Sequence, residues 1–582
     1  MGGMIPSTLT LQHERVDDIP LLLGLMQQLH LPETLERFLG SHHLHQGISN
    51  GWLACAWMAF ILSEANHRKV SVQDWAQTHQ RTLEAIIGQP LRPAEFSDDR
   101  LSIVLRRLHD ADWSALETDL WRSTCEVYGV PISCVRLDST TSCGYHTIEP
   151  DGVMQLGHSK DRRPDLAQLK LMAAAAQPTG HLLASDVYPG NAADDPLYVP
   201  LIERVRHLVG RHGLLYAGDC KMAALETRAN IAWHEDYYLV PLPQTGEVPE
   251  LFHTWVEAVV AGPQEVELLY VEDRNGNTTL FGAGYELERQ CQLEMGDEVF
   301  EWSERVQLVK SLPLAWRQGE QLEERLRRAA VELRALTPPV GRGRRQYRAE
   351  EALRGAIAEV LDRHGVSTFL AVAWRREERR EKRYEGRGRG GAGRKWHWEV
   401  DVRYEVTEAC RDEGAIAAAK DRQGWRVQVT TLPQEGYSLQ ECVVLYNGGW
   451  SLERDFHVVK DAPLGIRPLF VREEEQIIGL TRLLTIALRL LTLFELRVRA
   501  GLEEAGEELS GLYEGQPKRK TARPTATRLL KAIARMEVTL TCVESEDDAQ
   551  WYVSPLPPLL LHILELVGLS EDIYKRLSTN SG

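Results

Sequence analysis

The first part of the chain shows apolar side chains at intervals of three and four residues, the spacing that gives an α-helix one buried face. The predicted helices cover residues 20–30, 32–39, 51–64, 71–79, 99–110 and 113–128. The pattern therefore predicts an all-helical N-terminal domain over residues 1–130.

From residue 131 the pattern changes to short apolar runs with the length of β-strands. Three strands come first, and a helix, a strand, a helix and a strand then alternate. The predicted elements are strands at 134–137, 169–176 and 181–188, a helix at 194–211, a strand at 214–217, a helix at 222–234 and a strand at 237–242. This order is typical of an α/β RNase H-like fold, whose central strands are buried. We therefore predict the first part of an RNase H-like core over residues 131–243.

Residues 244–436 form a long segment with a pattern of their own, which predicts a separate domain rich in strands. Alternation typical of antiparallel strands is interrupted by an Asn-Gly turn signal at residues 275–276. The predicted strands are 266–271, 278–287, 299–309, 369–374, 396–404 and 425–430, with helices at 320–336 and 350–364.

After this segment, residues 446–460 have the sequence YNGGWSLERDFHVVK. Trp450, Leu452, Phe456 and Val459 give it an apolar stripe that predicts a helix with Glu453 in its first turns. Glu453 and Lys460 are seven residues apart, which at about 100° per residue puts both on one side of the helix. A plain solvated amphipathic helix is the alternative interpretation of this stretch alone.

Three carboxylates of the predicted core stand out by their positions. Asp138 and Asp219 each close a short apolar run, where a sheet edge would hold them rigidly, and Glu453 lies on the late helix. Three carboxylates brought together make an all-oxygen site of the kind that Mg²⁺ selects. Four further acids lie nearby but end no apolar run, and we rank them below these three: Asp161, Asp165, Asp194 and Asp195.

Composition sets limits on the class of protein. The net charge of −17 argues mildly against a nucleic-acid partner, but two basic clusters, at residues 374–395 and 517–535, matter more than the total. The first cluster is mixed in charge and fits either a solvated helix and loop or a phosphate-binding segment; the second has no acidic residue and favours phosphate contact. The nine cysteines form no CxxC pair, and the N-terminus has no signal-peptide pattern, so a reducing cytoplasm is expected. The apolar run at 477–498 contains charged residues and predicts a buried helix, without a membrane span.

Several motifs in order carry a family resemblance. These motifs are LDSTT around Asp138, the segment 157–168 after it, GDCKM around Asp219, and the spacing of Tyr446, Glu453 and Lys460. The chain resembles the DDE transposases of bacterial insertion sequences, in the group with a Tyr-Arg-Glu-Lys signature, from about residue 20 to about residue 535. Gly449 stands where this group has the arginine of its signature, a departure that leaves the group's DNA-hairpin step without one expected contact.

The resemblance implies metal-dependent DNA cleavage at insertion-sequence ends and strand transfer into target DNA, that is, cut-and-paste transposition. Asp138, Asp219 and Glu453 would be the catalytic residues and would hold two Mg²⁺ ions, or Mn²⁺, with Asp138 bridging both. The expected phosphate-contacting residues are Tyr446, Lys460, Lys160, Arg162, Arg163, Lys518, Arg519, Lys520 and Arg523.

The resemblance also implies a domain order and a set of partners. The N-terminal domain would bind the terminal inverted repeats, and residues 244–436 would be a β-rich insertion where a tryptophan stacks on a base. The core would resume at residues 437–510, and a basic and apolar tail would cover 511–582. The stacking candidates are Trp374, Trp396, Trp398 and Trp425, although a tryptophan buried in a sheet is the alternative for each.

The expected partner is double-stranded DNA, bound by a homodimer in the bacterial cytoplasm, associated with the nucleoid and not with a membrane. Two other functions fit the same motifs: a catalytically inactive DNA-binding protein derived from a transposase, and an RNase H-like nuclease that cuts without integrating. The three carboxylates favour the enzyme, because DNA binding alone does not need them.

Overall fold

The computed structural model of the chain describes residues 10–42, 46–272, 277–296, 298–387, 393–448, 450–544 and 549–578. The chain divides into two compact units, each of which is discontinuous in sequence. The first unit contains residues 1–240, 290–302 and 445–582, and the second contains residues 241–289 and 303–444. The boundary proposed at residues 130/131 lies inside the first unit. Within the segment 244–436, residues 290–302 belong to the first unit and the others to the second.

The N-terminal part of the first unit is mainly helical, but it begins with a strand that the prediction of an all-helical domain did not include. A short strand, β1 (Thr10–Arg15), precedes the helices, and the N-terminal turns of α3 and α7 are capped by the side chains of Ser49 and Asp112. The helices are α1 (Ile19–Gln28), α2 (Leu31–Leu39), α3 (Asn50–Glu64), α4 (Lys69–Thr78), α5 (Gln80–Ile87), α6 (Asp98–Asp110) and α7 (Trp113–Tyr128). Of these, α5 was not predicted.

The larger sheet of the first unit follows α7. Its strands and the helices between them are β2 (Cys134–Gly144), β3 (Ala167–Gln177), β4 (His181–Pro189), α8 (Tyr198–Val209), β5 (Leu215–Ala217), α9 (Leu225–Trp233) and β6 (Tyr237–Pro241). The strand order is β4-β3-β2-β5-β6, antiparallel across β4, β3 and β2 and parallel across β2, β5 and β6. Every residue of β3 is buried, as expected of a central strand.

The second unit has a sheet, a pair of long helices and a separate two-stranded ribbon. The elements that lie wholly or mainly in it are α10 (Val248–Val260), β7 (Glu267–Glu272), β8 (Thr278–Met295), β9 (Glu298–Ser311), α11 (Leu312–Leu336), α12 (Glu350–His364), β10 (Leu370–Tyr384), β11 (Trp396–Arg411), α13 (Glu413–Asp421), β12 (Trp425–Thr430) and α14 (Leu439–Asn447). The sheet order is β12-β9-β8-β7, and β10 pairs only with β11 among the described strands. The predicted Asn-Gly turn at residues 275–276 lies outside the described residues.

Two predictions for the second unit need correction. The basic cluster at 374–395 is not a helix and loop, because most of its described residues belong to the ribbon of β10 and β11, where each strand is stabilised by the other. Helices α10, α13 and α14 were not predicted, since their short amphipathic patterns are hard to separate from loops by periodicity alone.

The remaining elements return to the first unit. They are α15 (Trp450–Lys460), α16 (Glu474–Ala505), α17 (Ala526–Ala534), β13 (Thr539–Glu544), β14 (Ala549–Val553), α18 (Pro558–Leu566) and α19 (Asp572–Lys575). Strands β1, β13 and β14 form a small antiparallel sheet.

Helix α16 is the central helix of the first unit. It is long and apolar enough to cross a membrane by length and composition, but 89% of its most apolar window is buried inside the protein. It packs against α6, α3, α15 and β4, among other elements. This arrangement agrees with the prediction of a buried helix.

Candidate active site

Asp138 lies on β2, and Asp219 lies just after the end of β5, the neighbouring parallel strand of the larger sheet in the first unit. Arg136 on β2 pairs with Ala217 at the end of β5, and each carboxylate follows two residues later in its own segment. Residues at matching positions of a parallel pair lie at the same level of the sheet. The predicted adjacency of these two strands is confirmed.

The position of Asp138 within its strand differs from the prediction. Asp138 does not end the strand; β2 continues to Gly144 and stays paired with β3 over its whole length. The residues after Asp138, Ser139-Thr140-Thr141, include β-branched threonines, which are favourable in strands. Asp138 is therefore held on both sides by regular strand structure.

The carboxylate of Asp138 has a cation beside it. The Lys160 ammonium lies 3.1 Å from Oδ1 of Asp138 and also donates to the main-chain carbonyl of Ser139. Burial raises the pKa of Asp138, Lys160 lowers it, and the charge of Asp219 raises it, so that the pKa is raised overall. The effect of Asp219 shows that the two carboxylates are close enough to repel each other.

Asp219 is oriented by hydrogen bonds. The hydroxyl of Tyr198 on α8 donates to Oδ1 of Asp219 at 2.8 Å, and the main-chain N–H of Lys221 donates to the same oxygen at 2.9 Å. Burial, and then the charges of Asp219, Asp138 and Asp194, raise the pKa of Tyr198, so that this hydroxyl keeps its proton and remains a donor. Sequence analysis missed Tyr198, because a tyrosine at an apolar helix position is indistinguishable from an ordinary core residue.

Asp194, which sequence analysis ranked below the three chosen acids, lies in the same neighbourhood. It accepts hydrogen bonds from the hydroxyl of Ser139 at 3.2 Å and from the buried Lys170 ammonium at 2.5 Å. The pairing with Lys170 gives Asp194 a structural partner in the folded chain.

The segment 157–168 connects Asp138 with helix α15. Its start is fixed by close backbone packing, since a Cβ on Gly157 would lie 2.3 Å from the carbonyl oxygen of Gly190. Lys160 points to Asp138, whereas the next residue, Asp161, accepts from the Lys460 ammonium at 2.7 Å and lies 3.1 Å from Arg467. Two consecutive residues thus link the first carboxylate to the end of the helix that carries Glu453.

Helix α15 has the predicted apolar stripe. Leu452, Phe456 and Val459 are buried, while Glu453 is exposed. The side chain of Trp450 lies outside the described residues. Lys460 is on the same side of the helix as Glu453 by spacing, but it is buried because the segment 157–168 covers that end of the helix.

The three predicted catalytic carboxylates do not form a closed cluster here. Within the described parts of the chain, no group of three or more His, Cys, Asp or Glu side chains is placed to hold a metal ion. The structure brings Asp138 and Asp219 together and leaves Glu453 exposed on its helix, without a hydrogen bond or ion pair to another described residue.

Arg136 is a second residue that sequence analysis missed. It lies two residues before Asp138, on the same face of β2, and donates to the main-chain carbonyl of Tyr446 at 2.8 Å. Its guanidinium also lies 5.3 Å from the centre of the Tyr446 ring. Arg136 thereby anchors the end of α14, immediately before α15. Gly449 lies outside the described residues.

The other predicted phosphate-contacting residues are mostly on the surface. Arg162 is exposed, and Arg163 is exposed but makes two hydrogen bonds to Asp165. In the C-terminal segment, Lys518, Arg519, Lys520 and Arg523 are all exposed.

Arg519 also lines an open groove of about 420 Å³. The guanidinium groups of Arg519 and Arg528 lie 4.0 and 4.2 Å from the centre of the Tyr513 ring, and Lys531 and Arg535 complete the basic lining. The sequence analysis identified a basic run at residues 517–535, and four of its cations, Arg519, Arg528, Lys531 and Arg535, line this groove.

The four candidate stacking tryptophans have different environments. Trp425 is buried, and Trp374 packs against the core of α11 and α12. Trp396 and Trp398 on β11 are exposed. Trp374 and Trp425 therefore fit the alternative interpretation, in which a sheet tryptophan is packed inside the protein and does not stack on a base.

Comparison with known proteins identifies the family. Residues 131–490 match the transposase DDE domain, and residues 11–121 match a domain of unknown function, DUF4277. No curated protein matches the chain. A cryo-EM structure of the piggyBac transposase synaptic complex with hairpin DNA is similar at 7% identity and a TM-score of 0.36, covering 90% of this chain and 82% of that chain, a likeness too distant to support a conclusion. The match over residues 131–490 covers more than half of the sequence and contains Asp138, Asp219 and Glu453, so the chain belongs to the transposase DDE domain family.

Proposed function

We propose that this protein is an active DNA transposase that cleaves the ends of an insertion sequence and joins them to target DNA. The observation that carries the proposal is the pair of carboxylates within the matched domain: Asp138 lies on β2, and Asp219 follows the end of the adjacent parallel strand β5. Burial raises the pKa of Asp138, and the Tyr198 hydroxyl orients the carboxylate of Asp219. Together the two carboxylates form an acidic centre that a purely structural sheet does not need.

The order of the strands supports an RNase H-like core as the more specific fold. Three antiparallel strands, β4, β3 and β2, are followed by β5 and β6, which run parallel to β2 and alternate with helices. On this proposal, residues 1–130 bind the terminal inverted repeats, and the second unit is the β-rich insertion within the core.

The residues of the site fit Mg²⁺, and Mn²⁺ as a substitute, because the available donors are all carboxylate oxygens. Asp138, Asp219 and Glu453 are the residues that would hold the ions. When bound, such ions supply a deprotonated water or hydroxyl nucleophile and stabilise charge at the phosphate. In the structure the Lys160 ammonium lies 3.1 Å from Oδ1 of Asp138, so a metal ion at this oxygen would displace that ion pair.

The chain's own residues have separable tasks in this proposal. Tyr198 fixes the direction of the Asp219 carboxylate, and Arg136 fixes the chain that leads into α15. Arg162, Arg163 and Lys160 would contact phosphates beside the carboxylates, and Tyr446 and Lys460 would do so near the cut. In the structure Lys460 is paired with Asp161, so its contact with phosphate requires that ion pair to open.

The two alternative functions differ from this proposal in what they need. A transposase-derived DNA-binding protein needs the basic surfaces but not the acidic centre, and an RNase H-like nuclease needs the centre but performs no strand transfer. Double-stranded DNA, a homodimer in the DNA complex and a bacterial cytoplasmic location near the nucleoid remain part of the proposal. Whether a DNA hairpin forms depends on the contact that Gly449 lacks.

The test is strand cleavage of a duplex that carries the element's end, in Mg²⁺, by the wild-type protein and by Asp138→Asn and Asp219→Asn. Each substitution removes a charge needed for metal binding, so we expect cleavage to fall by roughly 100-fold or more while duplex binding persists. The control is Asp165→Asn, because Asp165 is exposed and pairs only with Arg163 among the described residues.

Equal cleavage by Asp138→Asn and Asp165→Asn would contradict the proposed site. A second arm adds a target plasmid and the pre-cut end with its 3′-hydroxyl. Cleavage without joining in this arm would favour the nuclease, and DNA binding without either reaction would favour the inactive DNA-binding protein.

A further inference from the structure

The ribbon of β10 and β11 has two faces of different chemistry. From the pair Trp374 and Val406 to the pair Tyr384 and Trp396 the register is continuous, so directly paired residues share a face and successive pairs alternate between faces. We call the outer part of one face the aromatic face; it comprises Arg380, Lys382, Tyr384, Trp396, Trp398 and Val400. The opposite, paired face comprises Arg375, Glu377, Arg379, Glu381, Arg383, His397, Glu399, Asp401, Arg403 and Glu405.

The paired face neutralises its own charges. Its four arginines lie among five carboxylates, and each arginine is in an ion pair. Arg379 lies 3.0 Å from Glu381, and Arg375 lies 3.0 Å from Glu405. This face therefore has no cation left over for an external anion.

The aromatic face is different, because its cations are not matched by acids. Neither Arg380 nor Lys382 pairs with a carboxylate anywhere in the described parts of the chain, and the ammonium of Lys382 lies 4.1 Å from the centre of the Trp396 ring. Trp396, Trp398 and Val400 are 43%, 55% and 46% exposed. Large apolar side chains with this exposure, next to unpaired cations, are unusual for a surface that contacts only water.

The same side of the ribbon is covered nearer its base. Trp374, Tyr404 and Val406 pack against the core formed by α11 and α12. Farther out on the same side, Trp396, Trp398 and Val400 are exposed. The exposed side chains therefore lie on the same side of the ribbon as the packed ones, and they form a group and not a single isolated residue.

We propose that the aromatic face docks on duplex DNA, with the ribbon lying along one groove. This inference rests on the proposed function, since it takes DNA as the partner. A two-stranded β-ribbon fits into the major groove, Arg380 and Lys382 complement the charge of the phosphates, and exposed apolar side chains can contact base edges or wedge between base steps.

The geometry of the rings favours a duplex over an unpaired strand. Stacking of successive bases needs open, similarly oriented ring faces. Trp396 and Trp398 instead meet edge to face, with ring planes at 79°, and Lys382 covers one face of Trp396. These rings present edges more readily than faces.

The test compares two double substitutions on the same ribbon, Arg380→Ala with Lys382→Ala and Arg379→Ala with Arg383→Ala. Both remove two positive charges, so they change long-range electrostatics equally, but only the first pair lies on the aromatic face. The readout is the dependence of log K on log salt concentration for a labelled generic duplex without divalent metal. We expect the first variant to flatten the slope by up to about 1.8 and the second to leave it nearly unchanged.

A third variant, Trp396→Ala with Trp398→Ala, tests the apolar contact. It removes no charge, so we expect affinity to fall on the order of tenfold with an unchanged salt slope. For the wild type we expect tryptophan fluorescence to change on DNA addition, and this change to shrink in the variant. Circular dichroism and melting confirm that each variant is folded.

Equal effects of the two charge variants would overturn the inference, because long-range charge alone would then explain them. It would also be overturned if the tryptophan variant reduced self-association in sedimentation while DNA affinity stayed the same, which would assign the face to a second copy of the chain. Failure of the proposed function is recognised separately, by wild-type protein that binds the duplex through the aromatic face but does not cleave an end-bearing substrate.

Discussion

Glu453 and Asp455 are carboxylates two residues apart on α15, and their surroundings are opposite. Glu453 is exposed, whereas Asp455 is buried, lies 3.2 Å from Arg454 and faces the tight turn at Gly180. A step of two residues turns a helix by about 200°, which separates the two side chains. Substitutions at these positions therefore distinguish a catalytic charge from a structural one.

We expect Glu453→Gln to bind the element's end normally but to cleave it roughly 100-fold or more slowly, because the amide keeps the shape of the side chain and loses the charge that a divalent ion requires. Nicking of an end-bearing oligonucleotide in Mg²⁺ measures the effect. The matched control is Asp455→Asn, which makes the same carboxylate-to-amide change on the same helix and should cleave nearly as the wild type does.

Comparable rates for the two variants would remove Glu453 from the catalytic set. Slow cleavage by both, together with a lowered melting temperature, would mean that α15 itself had been disturbed, so melting curves accompany the assay.

Asp455 also predicts a dependence of stability on pH. Burial raises its pKa from 3.8 to about 7, although Arg454 opposes the shift. Between about pH 4 and pH 7 the folded state thus holds a proton that the unfolded state has lost, and the stability of the wild type falls as pH rises through this window.

Asp455→Asn removes this titration. We expect the free energy of unfolding of the variant, relative to the wild type, to increase from pH 5 to pH 8 by on the order of 2 kcal/mol. Urea unfolding at both pH values measures the difference, and parallel changes in the two proteins would show that the pKa of Asp455 is not raised.

At the level of single residues, spacing along a helix predicted which side chains of α15 are buried, because that pattern is local. It did not predict the ion pair between Lys460 and Asp161, since Asp161 is distant in sequence and reaches α15 only through the packing of Gly157 against Gly190. The roles of Tyr198 and Arg136 were not predicted for the same reason, because each role depends on a partner on another element.

Among the elements, α7, α8, β4 and α16 of the first unit are connected by one buried carboxylate. Glu117 on α7 accepts from Arg489 of α16 at 2.5 Å and from the main-chain N–H of Ser185 at 3.0 Å, and it also pairs with Arg204 of α8. Burial raises the pKa of Glu117, and the two arginines lower it. The cost of burying these charges is offset only while all of them are present.

We therefore expect Glu117→Ala to lower the free energy of unfolding by about 3–5 kcal/mol, because it leaves two arginines near each other without their carboxylate. Chemical denaturation measures the loss. Glu126→Ala is the control on the same helix, since Glu126 is exposed and its removal should change stability by less than about 0.5 kcal/mol. Equal, small effects of both would mean that the arginines find other partners.

The elements differ in how well the sequence predicted them. The N-terminal helices other than α5 were predicted within two residues of their ends, because each has a long amphipathic pattern. Of the ribbon, residues 370–374 of β10 and 396–404 of β11 were predicted, whereas the rest of β10 was not, since alternating arginine and glutamate residues carry no apolar period. Pairing across the two strands gives the ribbon one face whose charges are neutralised and one cationic face. The sequence of one strand alone does not show this pairing.

For the whole molecule, the position of the positive charge matters more than its total. The chain carries a net charge of −17, yet the C-terminal segment gathers exposed cations at residues 518–523 and around the groove at Tyr513. A phosphate that is neutralised by a lysine or arginine releases condensed counterions, so each such contact adds to the salt dependence of binding.

We expect alanine at Lys518, Arg519, Lys520 and Arg523 together to lower affinity for any duplex and to flatten the slope of log K against log salt by up to about 3.6, if all four contact phosphate. The control variant removes four exposed arginines that are ion-paired on α11 and α12, namely Arg327, Arg328, Arg354 and Arg363. Its net charge changes equally, so a slope that falls only in the first variant locates the contact in the C-terminal segment. An unchanged slope in the first variant would show that this segment does not touch DNA. Equal flattening of the slope in both variants would mean that the overall charge of the protein, and not a contact in this segment, causes the effect.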